Sequence, residues 1–246
     1  MVTCGAIQGM SSLALAVRHD HLSELTRGQE LPLPALDSFH IEIILALLQR
    51  AYDELKIDLP HAVATGDEKH VTGLMVDRLN HLVGADPVAS LLIRAVSRGA
   101  ETKNYDATRF EMRPDIQISL TGRQHLFPLI VECKLIDTPN RKTVDLYCHD
   151  GLARFSTGDY AWTNREALMM AYVRDGATIS SHLHPYLDVA SKRTPAEYAV
   201  VSLPGRCAPS LPDAAISDHG RYFTYVHGSH VGKAPGDIRV WHLWVR

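Results

Sequence analysis

The sequence predicts an α/β protein, in which helices pack against a β-sheet. Two observations lead to this prediction. Apolar residues recur at helical spacing over residues 37–56 and 68–83. Residues 113–137 and 238–245 carry the short apolar runs and alternations of strands. The 246 residues suffice for one large domain or for a domain with an added arm. We therefore expect an arm or peripheral helix over residues 1–36 and one domain over residues 37–246.

The composition is that of an ordinary globular protein, with 46% hydrophobic and 22% charged residues. The net charge of -3 gives no overall basic signature of a nucleic-acid binder, although a basic groove can exist within a neutral average. None of the four cysteines forms a C-x-x-C pair, which disfavours a zinc site or disulfide framework and suits a reducing cytoplasm. We expect a cytoplasmic protein with no signal peptide and no membrane span, which would need ~20 apolar residues.

The first half of the chain is predicted to be mainly helical. A short helix is expected between Ser12 and Leu25, followed by a proline-containing linker. Asp37 and Ser38 cap a longer helix that runs to about Lys56. Further elements are predicted in this order: a helix at Glu68–Val83, a helix at Val88–Ser97 and the beginning of the first strand at Thr108–Met112.

The second half combines helices with strands. Helices are predicted at Thr143–Phe155, Arg165–Arg174 and Ile179–Val189, the last bounded near Pro185. Strands are predicted at Tyr198–Leu203, Arg221–Val226 and Ile238–Val245. The last strand alternates only in part, so we expect it to be packed on both faces.

The segment between these halves, residues 113–137, is typical of a strand, a tight turn and a second strand. Asp115 stands at the start of the first strand. The second is an apolar run, Leu129–Ile136, interrupted only by Glu132 and Lys134. Residues two apart share a face of a strand, so these two charges point the same way. Charged groups on a buried strand are costly unless they are compensated, and a divalent metal shared with Asp115 would compensate both carboxylates.

The pattern Pro114–Asp115 followed by Glu132-Cys133-Lys134 resembles the PD-(D/E)xK nuclease superfamily. The resemblance implies a restriction-endonuclease-like core, with a central mixed β-sheet flanked by helices and, here, extra N-terminal helices. It also implies that Asp115 and Glu132 hold Mg²⁺, for which Mn²⁺ substitutes, and that the Cys133 carbonyl adds a ligand. Lys134 would position or activate the attacking water. We favour an orienting role, because neighbouring carboxylates raise the pKa of a lysine.

The alternative is an exposed amphipathic hairpin with a surface Glu/Lys pair. The same strings recur in the sequence, at Pro212–Asp213, Glu54–Lys56 and Asp67–Lys69. None of these repeats lies in an apolar strand. The context of consecutive strands therefore favours the site at residues 115–134.

A further acidic ligand is predicted at Glu68. This residue shares the inward stripe of its helix with Val71 and Met75, and it resembles the accessory glutamate of many PD-(D/E)xK nucleases, which binds the metal directly or through water. A first-turn glutamate that favours the helix dipole is an equal alternative. Asp67 is the substitute ligand.

Three polar residues near the predicted site are candidate nucleic-acid contacts. Arg113 precedes the motif and could steady a phosphate, or it is a surface arginine. Gln117 shares a strand face with Asp115 and could contact water or phosphate, or it is only a polar residue of the pleat. Arg154 lies one helix after the second strand, where this fold often supplies phosphate contacts, or it forms an interhelix salt bridge.

Two more candidates lie in the cluster Ser217-Asp218-His219-Gly220-Arg221. If the cluster faced the cleft, His219 and Arg221 would donate hydrogen bonds to a phosphate. A loop with a local Asp218–Arg221 ion pair is the alternative.

We therefore expect a Mg²⁺-dependent nuclease, and most simply a DNA endonuclease, with DNA as its partner. The resemblance implies a setting in prokaryotic anti-phage defence or restriction. One alternative is a nuclease-fold subunit that binds nucleic acid or protein within a larger defence complex, with partner subunits or as a homodimer. An RNA-directed or structure-specific nuclease is a third hypothesis.

Overall fold

A computed structural model of the chain describes residues 20–246. Most of the helix predicted between Ser12 and Leu25 lies outside these residues, although residues 20–25 are helical. Leu22, Leu31 and Leu33 pack into a small apolar cluster with aromatic side chains, among them Trp162 and Tyr225. The described part of the predicted arm is therefore packed against the rest of the chain.

The centre of the molecule is a seven-stranded mixed sheet with the order β1-β2-β3-β4-β7-β6-β5. The strands are β1 Ile93–Ser97, β2 Ile116–Leu120, β3 Leu129–Ile136, β4 Glu166–Val173, β5 Val200–Arg206, β6 Ala214–His219 and β7 Ile238–Val245. The pairs β3–β4 and β4–β7 are parallel, and the other four pairs are antiparallel. The predicted α/β class and mixed central sheet are confirmed.

Helices cover both faces of this sheet. The α-helices are α1 Ser38–Asp58, α2 Pro60–Thr65, α3 Glu68–Ala85, α4 Pro87–Leu92, α5 Val144–Tyr147, α6 Ala153–Ser156 and α7 His184–Ser191. Apolar residues of α1, α3 and α4 pack on one face, whereas α5, α6 and α7 contribute to the core on the other. A π-helical turn, Cys148–Leu152, joins α5 to α6, and another, Ile179–Leu183, precedes α7.

Strand β3 shows how the sheet takes its two cores from one sequence. Its odd-numbered residues, including Val131 and Cys133, face the layer of α1 and α3. Its even-numbered residues Ile130 and Ile136 belong to the opposite core. Because side chains alternate along a strand, Glu132 and Lys134 share the face of α5 and α6.

The helix predicted at Arg165–Arg174 is wrong, since this segment is strand β4. All eight of its residues are buried. A short apolar run that is buried on both faces has no period, and a buried strand then cannot be distinguished from a helix. The helix predicted at Val88–Ser97 is correct only up to Leu92, because β1 follows at once.

Other boundaries also differ from prediction. No strand forms at Arg221–Val226, because the strand lies earlier, at β6. Thr108–Met112 is not a strand of the sheet either, and Met112 makes only an isolated bridge to Thr102. The segment Thr143–Phe155 is helical as predicted, but it contains the π turn.

Among residues 20–246, no helix has both the length and the apolar character needed to span a bilayer.

Candidate active site

The site forms where β3 extends beyond its neighbour β2. Pairing between these strands ends at Ile116, which lies opposite Val131. Beyond that point, carboxylates replace the missing strand. The Cys133 amide donates to Asp115 Oδ2 at 2.8 Å, and the Leu135 amide donates to Glu68 Oε2 at 2.9 Å. The free edge of β3 thereby fixes two acidic side chains from distant parts of the chain.

The third carboxylate and the lysine belong to β3 itself. Lys134 Nζ lies 2.8 Å from Glu132 Oε1 and 2.9 Å from the Cys133 carbonyl oxygen. It also lies 3.6 Å from Glu68 Oε1 and 3.9 Å from Asp115 Oδ2. The lysine side chain is only 12% exposed. The structure thus brings together Asp115, Glu132, Cys133, Lys134 and Glu68 around one nitrogen atom.

Glu68 is placed in this cluster by the start of α3. Asp67 is the N-cap of that helix, and its side chain accepts the His70 amide at 2.7 Å. Its carboxylate is therefore engaged in capping, which leaves Glu68 to reach the edge of β3. Of the two acids considered in the sequence, Glu68 is the one that joins the site.

Glu132 is the most buried acid of the cluster, with a side chain only 3% exposed. Burial, and then the nearby charge of Asp115, raise the pKa of its carboxyl group to about 7, although Lys134 and Arg154 oppose this shift. Its second oxygen, Oε2, is buried without a hydrogen-bond partner among the described residues. A buried acceptor left in this way is costly, so the site has capacity for another positive group.

The surrounding carboxylates favour the charged form of Lys134 in this arrangement. Burial alone lowers the pKa of its ammonium group, but the charges of Glu132, Glu68 and Asp115 outweigh burial, and the net pKa is raised. A lysine that holds its proton so firmly is a hydrogen-bond donor and not a general base. This agrees with the orienting role favoured above.

Arg154 reaches the same cluster from α6. Its Nη1 lies 3.7 Å from Glu132 Oε1 and donates to the Tyr160 hydroxyl at 2.6 Å. The guanidinium also lies over the Tyr160 ring, 5.1 Å from the ring centroid. Its side chain is 36% exposed. Arg154 thus pairs with Glu132 of strand β3, and not with a residue of another helix as the alternative had it. Its guanidinium is accessible at the edge of the site.

Two residues of this region were missed in the sequence. Tyr160 lies in a loop, and only the fold brings its hydroxyl to Arg154. Gly151 lies in the π turn, where a Cβ atom would stand 2.6 Å from Met169 Cε and 3.4 Å from Lys134 Cε. A glycine inside a predicted helix was the only available signal, and the close approach of the π turn to the Met169 side chain is its physical reason.

Arg113 and Gln117 lie beside the motif in sequence, but their side chains are engaged in other contacts. Arg113 forms an ion pair with Glu101 at 2.5 Å on the surface. Gln117 is buried and donates to the Ala100 carbonyl at 2.7 Å. Gln117 ties the loop before β2 to the sheet, whereas the Arg113–Glu101 pair lies within that loop. Neither side chain is part of the carboxylate cluster.

His219 does not face a cleft, and the prediction that it binds phosphate is wrong. The side chain is fully buried, and Nε2 lies 2.7 Å from Ser217 Oγ. Burial lowers the pKa of its imidazole, so the ring is neutral at neutral pH. A buried, neutral imidazole cannot act as a positive donor to a phosphate.

Arg221 is likewise used inside the protein. Its guanidinium donates to the Trp162 and Asn164 carbonyl oxygens. Burial lowers its pKa to about 10. The local Asp218–Arg221 pair is not formed, because Asp218 pairs with Arg239 at 3.0 Å. A short motif does not show these outcomes, because the partners of Asp218 and Arg221 lie in distant parts of the chain and His219 is buried by the fold.

His219 instead ends a buried chain of hydrogen bonds. Its Nδ1 lies 2.8 Å from the Tyr198 carbonyl oxygen, which only accepts, so Nδ1 carries the proton. In a neutral ring, Nε2 then accepts from Ser217, whose oxygen accepts from His242 Nε2 at 2.7 Å. His242 Nδ1 in turn accepts from the Tyr147 hydroxyl at 2.8 Å. All protons in the chain therefore point the same way.

The donor set of the carboxylate cluster is of the kind that suits Mg²⁺, the ion that the resemblance to the nuclease superfamily implies. Mg²⁺ prefers hard oxygen ligands, and carboxylates and a carbonyl are such ligands. Glu132 Oε2 is a buried oxygen that lacks a partner among the described residues. The carboxylates now surround an ammonium group, and within residues 20–246 they do not form a closed metal-binding group.

Comparisons with protein-family models, curated proteins and solved structures give no significant match to this chain.

Proposed function

We propose that the protein is a Mg²⁺-dependent nuclease that hydrolyses phosphodiester bonds, with DNA as substrate and a restriction-endonuclease-like core. One observation carries the proposal. Three carboxylates from three separate segments, Glu68, Asp115 and Glu132, converge on the ammonium group of Lys134. Burying this many charges together is costly and calls for a reason beyond folding. Perturbed ionisable groups of this kind concentrate at functional sites.

The residues divide the chemistry among them. Asp115, Glu132 and the Cys133 carbonyl would hold Mg²⁺, and Glu68 would do so directly or through water. When bound, the ion supplies Lewis acidity and lowers the pKa of its water. Lys134 donates hydrogen bonds that orient the attacking water and stabilise charge on the phosphate. Arg154, which is partly exposed, neutralises a non-bridging phosphate oxygen.

The test is a cleavage assay on linear, circular and single-stranded DNA and on RNA, with Mg²⁺, Mn²⁺ or EDTA. We expect metal-dependent cleavage of DNA. Glu132→Gln and Lys134→Met should each reduce it by about 100-fold or more, as the loss of preorganised electrostatic groups does in other enzymes. Lys56→Met, from the Glu54–Lys56 repeat of the same string, is the matched control and should retain activity.

Cleavage that is equal in all variants would point to a contaminating nuclease and would contradict the proposal. Preference for RNA would keep the chemistry and change the substrate. The setting in anti-phage defence or restriction stays a hypothesis drawn from the sequence resemblance.

A second candidate function is a binding subunit of a larger assembly. The observation that favours it is an apolar surface, formed by the exposed side chains of Phe39, Val88 and Leu91 around one shallow cavity. Exposed apolar groups that cluster in this way often mark protein interfaces. Binding of DNA or of a partner protein without cleavage, under all metal conditions, would favour this role.

A further inference from the structure

We propose that Lys134 is a built-in cation that occupies the carboxylate cluster, and that a divalent ion binds there only by displacing its ammonium group. This inference rests on the proposed function, because it concerns the same metal site. It adds a mode of control. The lysine competes with the metal before it takes part in catalysis.

The contacts of Nζ support this competition. The four oxygen atoms around it belong to the residues that would hold the metal, Glu132, Cys133, Glu68 and Asp115. The two nearest oxygens lie at 2.8 and 2.9 Å. An ion bound about 2.1 Å from the same oxygens would lie at nearly the position of the ammonium group. The two positive charges would repel each other there. The ammonium group and the ion therefore cannot both occupy this position.

The carboxylate cluster should keep its shape when the ammonium group leaves, because backbone amides hold two of its side chains. Asp115 Oδ2 is held by the Cys133 amide, and Glu68 Oε2 is held by the Leu135 amide. These bonds come from the backbone of β3 and do not involve Lys134. Glu132 Oε2 already lacks a partner among the described residues. Removal of the ammonium group would thus leave the carboxylate cluster already arranged around an open position.

The competition predicts that loss of the lysine side chain strengthens metal binding, although the proposed function predicts that the same change reduces cleavage. Isothermal titration with MnCl₂ and MgCl₂ measures this directly. Lys134→Met should bind at least about tenfold more tightly than the wild type, because a unit positive charge within about 4 Å has been removed. The matched control is Lys69→Met, which removes an exposed charge beside Glu68 and should change affinity by less than about threefold.

A second measurement uses only the wild-type protein, so it does not depend on whether a variant folds. Lysine labelling by reductive methylation, read by mass spectrometry, should show that MnCl₂ increases modification of Lys134, with exposed Lys69 as the internal reference. Unchanged or reduced labelling of Lys134 in the presence of bound Mn²⁺ would overturn the proposal.

The outcomes separate the two proposals. If the wild type binds Mn²⁺ and Lys134→Met binds equally or more weakly, the competition is wrong and the metal site stands. If neither binds, although Lys134→Met is folded by circular dichroism, the metal site and the competition both fail. Tighter binding by Lys134→Met that is lost in the Lys134→Met, Glu132→Gln double variant supports both.

Discussion

At the scale of single residues, the position of Arg154 at the site depends on its contacts with Tyr160. Tyr160 is only 2% exposed and has no proposed part in the chemical step. Its hydroxyl accepts a hydrogen bond from Arg154, and its ring lies beneath the guanidinium. Burial, and then the charge of Glu132, raise the pKa of Tyr160 to about 12, so the hydroxyl stays protonated and neutral. Tyr160 is therefore a positioning residue for Arg154.

We predict that Tyr160→Phe raises KM for DNA by about three- to tenfold, which corresponds to the loss of one hydrogen bond. The turnover number should change by less than about twofold, because the carboxylate cluster is intact. Steady-state kinetics measures both. Tyr222→Phe, which removes an exposed hydroxyl elsewhere, is the control. A fall in kcat with unchanged KM would contradict the positioning role.

At the scale of elements, one buried ion pair connects segments that are far apart in sequence. Arg123, in the turn between β2 and β3, donates to Glu166 at the start of β4 at 2.9 Å. The two side chains are 9% and 3% exposed. Arg123 also donates to the Pro34 carbonyl at 2.8 Å. The pair thus connects the β2–β3 hairpin, β4 and the linker before α1.

We predict that Glu166→Ala lowers the free energy of unfolding by about 3–5 kcal/mol, because it leaves the Arg123 charge buried without its partner. Urea denaturation provides the measurement. Glu197→Ala, which removes one side of the exposed i,i+4 pair Arg193–Glu197, should cost less than about 0.5 kcal/mol. The double variant Arg123→Met, Glu166→Ala should recover part of the loss, and full additivity would argue against the pair.

At the scale of the whole molecule, the sequence predicted the class, the hairpin and the central acidic motif, because these are local. The alternation around Asp115 and the charges within an apolar strand need no tertiary information. The strand β4 was mistaken for a helix because a run buried on both faces carries no period. His219 and Arg221 were misassigned because a polar motif does not reveal that the fold buries His219 and that distant backbone carbonyl groups accept hydrogen bonds from Arg221. Tyr160 and Gly151 owe their positions to the fold alone.

The buried histidines make the stability of the whole fold dependent on pH. Burial lowers the pKa of His242 from 6.5 to about 3, and that of His219 is lowered as well. The unfolded chain therefore binds these protons more readily than the native chain. Their contribution to stability is full above about pH 6.5 and is lost as the pH falls through the interval down to about 3.

We predict that the two histidines lower the urea midpoint below pH 6.5. Glu132 opposes this fall between about pH 7 and 4.5, because the pKa of its carboxyl group is raised in the folded state. His242→Gln should be less stable than the wild type at neutral pH, because it loses hydrogen bonds to Tyr147 and Ser217. Its acid-dependent loss should nevertheless be smaller, since one proton-binding group is gone. Denaturation curves at several pH values test this. A slope identical to that of the wild type would show that His242 does not drive the effect.

The carboxylates at the open edge of β3 have a second consequence, which concerns how variants should be designed. The Asp115 and Glu68 carboxylates also accept the hydrogen bonds that a neighbouring strand would otherwise accept from the amides of Cys133 and Leu135. Alanine at either position would expose an unpaired amide, and an unpaired strand edge invites pairing with another chain. Asn and Gln keep an acceptor oxygen, so they remove the charge and still protect the protein from self-association.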